Sequence, residues 1–161
     1  YADQYGNDNN WKAHYETTGP EIVNQLEEKK ITHFVAGLGT SGTLRGVGEF
    51  LKEYNPEVDL VALQPDSALH AIEGWKDMET AMVPKIFDAE QPDYTLEVST
   101  EQSYALLKEI AEKEGLLIGP SGAANLAGAI NLAKEIEEGV IVTVFPDSAD
   151  KYSEVYEQLF K

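Results

Sequence analysis

The stretch from Ile31 to Phe50, ITHFVAGLGTSGTLRGVGEF, constrains this chain most. Ile31 to Leu38, with His33 inside it, is an apolar run of the length of a buried strand. It stops at Gly39-Thr40-Ser41-Gly42-Thr43, after which Leu44, Val47, Leu51 and Tyr54 recur at helical spacing. Strand, glycine turn and helix in that order place free backbone N–H groups at the positive end of a helix dipole, which favours a phosphate. Glycine lets the backbone approach the anion, and Thr40, Ser41 and Thr43 add hydroxyl donors. Gly46 and Gly48 would let the helix lie close on its sheet. The plainer alternative is an ordinary tight strand-to-helix turn.

Two phosphate-binding templates fit these residues. Gly37, Gly39 and Gly42 satisfy G-x-G-x-x-G, and Asp66, after a second strand from Asp59 to Gln64, stands where that fingerprint wants a ribose partner. Spacing alone leaves open an NAD(P)-binding Rossmann-type domain or a smaller phosphorylated cofactor.

Composition narrows the classes. The chain has 161 residues, 42% of them hydrophobic, which suits one domain with a real core. A net charge of −17 argues against nucleic acid and anionic membrane as partners, since phosphate contacts need basic surface. Cysteine is absent, which rules out disulfide and thiolate chemistry from these residues and fits a reducing, cytoplasmic setting. His14, His33 and His70 lack ligand spacing, so no metal site is expected. There is no long apolar run and no leader pattern. The chain opens at Tyr1 rather than Met, consistent with processing or truncation.

Along the chain, Tyr1 to Trp11 reads as a loop. Thr18 is placed to cap a helix that Pro20 opens and that runs to about Lys30. Ser67 to Asp88 reads as a functional loop holding a short helix. Tyr94 to Val98 alternates as a third strand. Ser99 and Gln102 form a capping-box pair before a helix that Gly115 closes. Leu116 to Ile118 is a short strand leading into Gly119-Pro120-Ser121-Gly122. A helix with a small-residue face follows and ends at Gly139, Val140 to Phe145 is a strand buried on both faces, and the last helix spans Lys151 to Lys161. Alternating strands and helices predict a single α/β domain over residues 1–161, three-layered, with a mostly parallel sheet and helices on both faces. The loops at 39–43, 64–75, 118–122 and 145–149 should then share the carboxyl side of the sheet.

HYETTGPEI, AGLGTSGTLRGVGEFLKEYNPEV, EGLLIGPSGAA and FPDSADKY together resemble the carboxyl-terminal part of the cysteine synthase (O-acetylserine sulfhydrylase) family, fold-type II enzymes that use pyridoxal phosphate. The resemblance runs from about Tyr15 to Tyr152. It implies that Gly39, Thr40, Ser41, Gly42 and Thr43 hold the cofactor phosphate, with Ser41 in place of a more usual glycine. It also implies that Ser121 contacts the pyridine nitrogen, that Gly74 lies in the loop over the active site and that Lys76 falls near a basic substrate contact. A neutral hydroxyl at Ser121 does not force the ring nitrogen to be protonated; the other reading of Ser121 is a helix N-cap. Ala149, Asp150 and Lys151 replace a commoner Gly-Glu-Arg, and the serine-rich turn is one residue shorter. The family's Schiff-base lysine and substrate-carboxylate loop belong to a preceding half, and no lysine here sits in that motif, so no catalytic residue is assigned. The resemblance implies the carboxyl-terminal part of a longer two-domain enzyme, homodimeric when complete. That enzyme replaces the leaving group of O-acetylserine or O-phosphoserine with a sulfur nucleophile. A non-catalytic binding or scaffold fragment of the same fold is the alternative.

Overall fold

The structure, a computed structural model, describes residues 2–26 and 29–161. Four parallel strands form the sheet: β1 (His33–Gly37), β2 (Asp59–Pro65), β3 (Tyr94–Val98) and β4 (Ile141–Thr143), in the order β3-β2-β1-β4. Period-two alternation divides the central strands between two cores. Phe34, Ala36, Leu60 and Ala62 face one side and pack with Leu44, Val47 and Leu51 of α3 (Gly42–Tyr54). Val35, Val61 and Leu63 face the other and meet Ala124, Ala127 and Leu132 of α5 (Pro120–Ala133). Helices α1 (Asn9–Ala13) and α2 (Gly19–Leu26) join α3 on the first face, and α4 (Thr100–Glu114) packs on α5. The expected α/β layering, with helices on both faces, is the observed one.

Local signals near a single turn hold well. Ser99 Oγ accepts from Gln102 N–H at 3.1 Å while Gln102 Oε1 accepts from Ser99 N–H at 3.2 Å, the reciprocal capping box of α4. Gly115 ends that helix in the left-handed region at φ 68°. Gly48 lies against Leu60, as expected for close packing on the sheet, but Gly46 instead faces Trp11 and His14 of the amino-terminal helices.

Several boundaries differ from the sequence expectations. The helical run begins at Asn9, inside the stretch read as a loop, and passes through a π-helical segment, His14–Thr18, into α2. Thr18 is therefore not a cap, and its Oγ1 meets His14 Nδ1 at 3.0 Å. The wider π turn shifts the hydrogen-bond register just ahead of Pro20, with Gly19 N–H donating to His14 O, and so accommodates a residue lacking an amide hydrogen. The end of that helix near Lys30 falls partly on residues 27–28, outside the described residues. Residues 67–88 hold no helix. Their buried residues, Ile72, Trp75, Pro84 and Ile86, stand at irregular intervals and plug the core one at a time. Leu116 to Ile118 makes only an isolated bridge from Ile118 to Ser148. Helix α5 stops at Ala133, because the chain turns there to return Ile136 to the second core. The VIVTVF strand is three residues long and half-buried: β4 pairs with β1 along one edge and takes no second partner among the described residues. The last helix, α6 (Ser153–Leu159), follows a 3₁₀ turn at Ala149–Lys151.

Candidate cofactor-binding site

The four loops expected on one side of the sheet do meet. They line a cavity of about 200 Å³ at the carboxyl ends of β1 and β4, and the amino ends of α3 and α5 both open onto it. Gly39 to Thr43, Gly74 and Ser121 contribute to its wall. Among the described residues no Lys or Arg side chain does, so an anion here would be held by amides, hydroxyls and helix ends rather than by a countercharge.

At the first end, the amides of Gly39, Thr40, Ser41 and Thr43 have no hydrogen-bond partner among the described residues, and Gly42 N–H makes only a long bond, 3.3 Å, to Thr40 Oγ1. Ser41 precedes α3 with φ 71°, a left-handed conformation that favours glycine, and it is 5% exposed. Its hydroxyl is buried and unpaired. Gly39 touches the Gly74 carbonyl so closely that a Cβ at Gly39 would overlap it. Gly74 itself has φ +92° and lies near Ser121. The expected loop residue thus connects the two ends of the site. Thr43 Oγ1 also contacts His14 Nε2 at 3.4 Å, and burial lowers the His14 pKa, keeping the imidazole neutral beside the turn.

At the other end, Ser121 stands in the first turn of α5, whose N-cap is Gly119; the cap alternative therefore fails. Ser121 Oγ has no hydrogen-bond partner among the described residues and lines the cavity. Ser103 Oγ, donating to Pro120 O at 2.9 Å, steadies this turn from α4. Lys76 lies outside the cavity lining. Its amide donates to Leu38 O at 2.7 Å, and its ammonium sits 4.8 Å from the Tyr5 ring centre. Asp66 is exposed and also off the cavity, which removes the ribose partner that a dinucleotide reading requires.

The lining residues not singled out as site residues from the sequence include Asn125, Trp75, Asp147 and Tyr152. Asn125, 2% exposed, accepts from Gly37 N–H and donates to Val144 O, each at 2.8 Å. The signal available was a lone amide on an otherwise small, apolar helix face. Trp75 lays its indole against Gly37. Asp147 Oδ2 accepts from Tyr152 OH at 2.7 Å.

A family described as "Pyridoxal-phosphate dependent enzyme" matches residues 1–147. Cysteine synthase of Aquifex aeolicus is 48% identical over 156 residues, covering 94% of this chain and 47% of that protein. Cysteine synthase B of Escherichia coli is 38% identical, covering 93% and 49%. Among solved structures, O-ureido-L-serine synthase superposes with a TM-score of 0.88 at 32% identity, covering 97% of this chain and 52% of that one. The chain spans about half the length of the curated relatives it matches. It is a member of the pyridoxal-phosphate dependent enzyme family and, within that family, is similar to the cysteine synthases.

Proposed function

We propose that this chain is the cofactor-phosphate part of a cysteine synthase, a single α/β domain that works as the carboxyl-terminal part of a longer, cytoplasmic, homodimeric two-domain enzyme. The parent reaction replaces the acetyl or phosphoryl leaving group of an O-activated serine with a sulfur nucleophile to give L-cysteine. The observation that carries this reading is the open amide turn of Gly39 to Thr43 at the start of α3, sharing one cavity with Ser121 at the start of α5.

The residues fit pyridoxal phosphate. The amides of Gly39, Thr40, Ser41 and Thr43, with the hydroxyls of Ser41 and Thr43, would hold its phosphate. Ser121 would meet the ring nitrogen, while Trp75 and Gly74 form the wall between these two ends and limit water. When bound, the cofactor supplies an electron sink for the pair left on a substrate α-carbon after its proton is removed. No lysine lines the cavity among the described residues, so no lysine stands there to act as the base or as the covalent anchor of the cofactor. Gly74 remains a candidate for the loop over the substrate. A substrate role for Lys76 would require its ammonium to leave Tyr5.

Titration of the purified chain with pyridoxal phosphate, followed by borohydride reduction and mass analysis, tests this. Reversible binding without a stoichiometric lysine adduct, and without β-replacement of O-acetylserine, is expected. Full labelling of one lysine together with turnover would overturn the claim of catalytic incompleteness. Binding that inorganic phosphate does not compete with would overturn the phosphate cradle and favour the scaffold alternative.

Ser41 offers a second check. Its left-handed torsion costs about 1–2 kcal/mol and an unpaired buried hydroxyl about 1–3 kcal/mol. The extra unfolded-state freedom of a glycine costs about 0.5–1 kcal/mol and does not offset both. Ser41→Gly should therefore raise the stability of the cofactor-free chain by about 1 kcal/mol in urea unfolding, while weakening pyridoxal phosphate binding several-fold. Unchanged affinity would mean that the hydroxyl is not a phosphate donor.

A further inference from the structure

The amides of Gly39, Thr40, Ser41 and Thr43 are open to a ligand, so they do not stabilise the turn that carries them. The turn's own amides supply only the long bond from Gly42 N–H to Thr40 Oγ1. A turn whose donors are spent on a ligand keeps its shape through contacts from outside. One such contact is the Gly74 carbonyl at Gly39. Another meets the turn at Gly42, and it comes from the amino-terminal segment.

Asn10, on α1, lays its side chain against Gly42, so that a Cβ at residue 42 would overlap Asn10 Oδ1 and Cγ. In glycine a hydrogen takes that direction and points at Oδ1, a weak C–H···O contact. The other half of the amide is tied down: Nδ2 donates to Gln4 O at 2.7 Å. That bond also fixes which side-chain atom is the oxygen, because a carbonyl partner requires the NH₂. Gly42 is not in the left-handed region, so its torsions do not demand glycine. Glycine is also a poor helix former, and Gly42 opens α3. The space that Asn10 occupies is what excludes a side chain there. One turn on, Gly46 repeats the arrangement, with Trp11 O in the place of its Cβ. Residues i and i+4 share a helix face, so α1 rests on a glycine face of α3 that starts inside the turn.

We propose that Asn10 is a positioning residue for the anion site: tied to Gln4 and set against Gly42, it fixes where α3 begins and therefore where the open amides point. This rests on the reading that the Gly39–Thr43 turn holds a phosphate. Asn10 does not line the cavity, so it acts through Gly42. A side-chain amide suits the task because it is neutral and both gives and takes hydrogens. A carboxylate of the same shape would lose the tie to Gln4 O and set a negative charge behind an anion site. Without the side chain a gap opens behind Gly42. The turn then settles into it, and the amides lose their alignment with the anion.

The test is a double-mutant cycle on the purified chain, read as affinity for pyridoxal phosphate and for inorganic phosphate as its competitor. Urea unfolding of each variant runs alongside. Asn10→Ala should weaken both ligands about fivefold, and Gly42→Ala about tenfold, through overpacking against a tethered side chain. In the double variant the new Cβ enters the space that Asn10 vacates. Affinity should then recover at least about threefold relative to Gly42→Ala alone. A double variant that binds as weakly as Gly42→Ala, or more weakly, overturns the inference, since a side chain that merely holds α1 in place gives losses that add. Asn10→Ser is a milder variant that keeps a polar residue on α1 without reaching Gly42. It should lose as much affinity as Asn10→Ala, and wild-type phosphate affinity in it also overturns the inference. Both of those outcomes leave the phosphate reading standing. Failure of that reading looks different: wild-type protein binds pyridoxal phosphate without competition from inorganic phosphate, and both ideas fall together.

Discussion

Gly39→Val is expected to reduce pyridoxal phosphate affinity by at least about thirtyfold, equivalent to roughly 2 kcal/mol. A Cβ at residue 39 overlaps the Gly74 carbonyl, which is backbone and cannot swing aside as a flexible side chain would. Relief requires either the 39–43 turn or the Gly74 loop to move, and overpacking of this kind costs about 1–3 kcal/mol. Either movement misaligns the open amides that would hold the phosphate. Lys76→Ala is the matched control. Its ammonium sits over Tyr5 outside the cavity lining, so its loss should leave cofactor affinity unchanged. Equilibrium dialysis on both variants reads the contrast. Wild-type affinity in Gly39→Val would remove the phosphate from this turn, and a large loss in Lys76→Ala would return that lysine to the site.

The parts of the fold that were legible in the sequence depend on neighbours a few residues away. The change from an apolar run to helical spacing across Gly39 to Thr43 located the turn that lines the cavity. Ser99 and Gln102 announced α4 because a capping box is built within one turn. The hidden parts depend on distant partners. Asn125 reads as one polar residue in a small apolar face until Gly37, at the end of β1, and Val144, just beyond β4, are brought to it. Asp147 looked like an ordinary turn residue in Pro146-Asp147-Ser148, and only Tyr152 and the N-cap of α5 give its carboxylate a setting. The helix start at Asn9 was masked for another reason. Gly19-Pro20 is a strong start signal locally, yet a π turn lets an existing helix run through it. Residues 67–88 carry no period to read, since Ile72, Trp75 and Ile86 serve separate contacts.

Asn125→Leu should be the more damaging change to the fold itself. The side chain is 2% exposed and spans three elements, taking Gly37 N–H at the end of β1 and giving a hydrogen to Val144 O just beyond β4, from its position on α5. The chemistry of the partners fixes the amide orientation, because an N–H requires the oxygen and a carbonyl requires the NH₂. Leucine has nearly the same volume but satisfies neither, and each backbone group left unpaired in the interior costs about 1–3 kcal/mol. The expected loss is therefore about 2–6 kcal/mol, a large share of the roughly 5–15 kcal/mol that holds a domain of this kind together. Urea unfolding of the cofactor-free chain measures it directly. The cavity should suffer with the fold, since Gly37 lies against Trp75 and Val144 leads into Pro146 and Asp147, so the brace sets the distance between the two ends of the site. A variant that loses less than about 1 kcal/mol would mean that water or a local shift replaces both bonds. In that case the spacing of the site would have to come from the packing of α5 on the sheet alone.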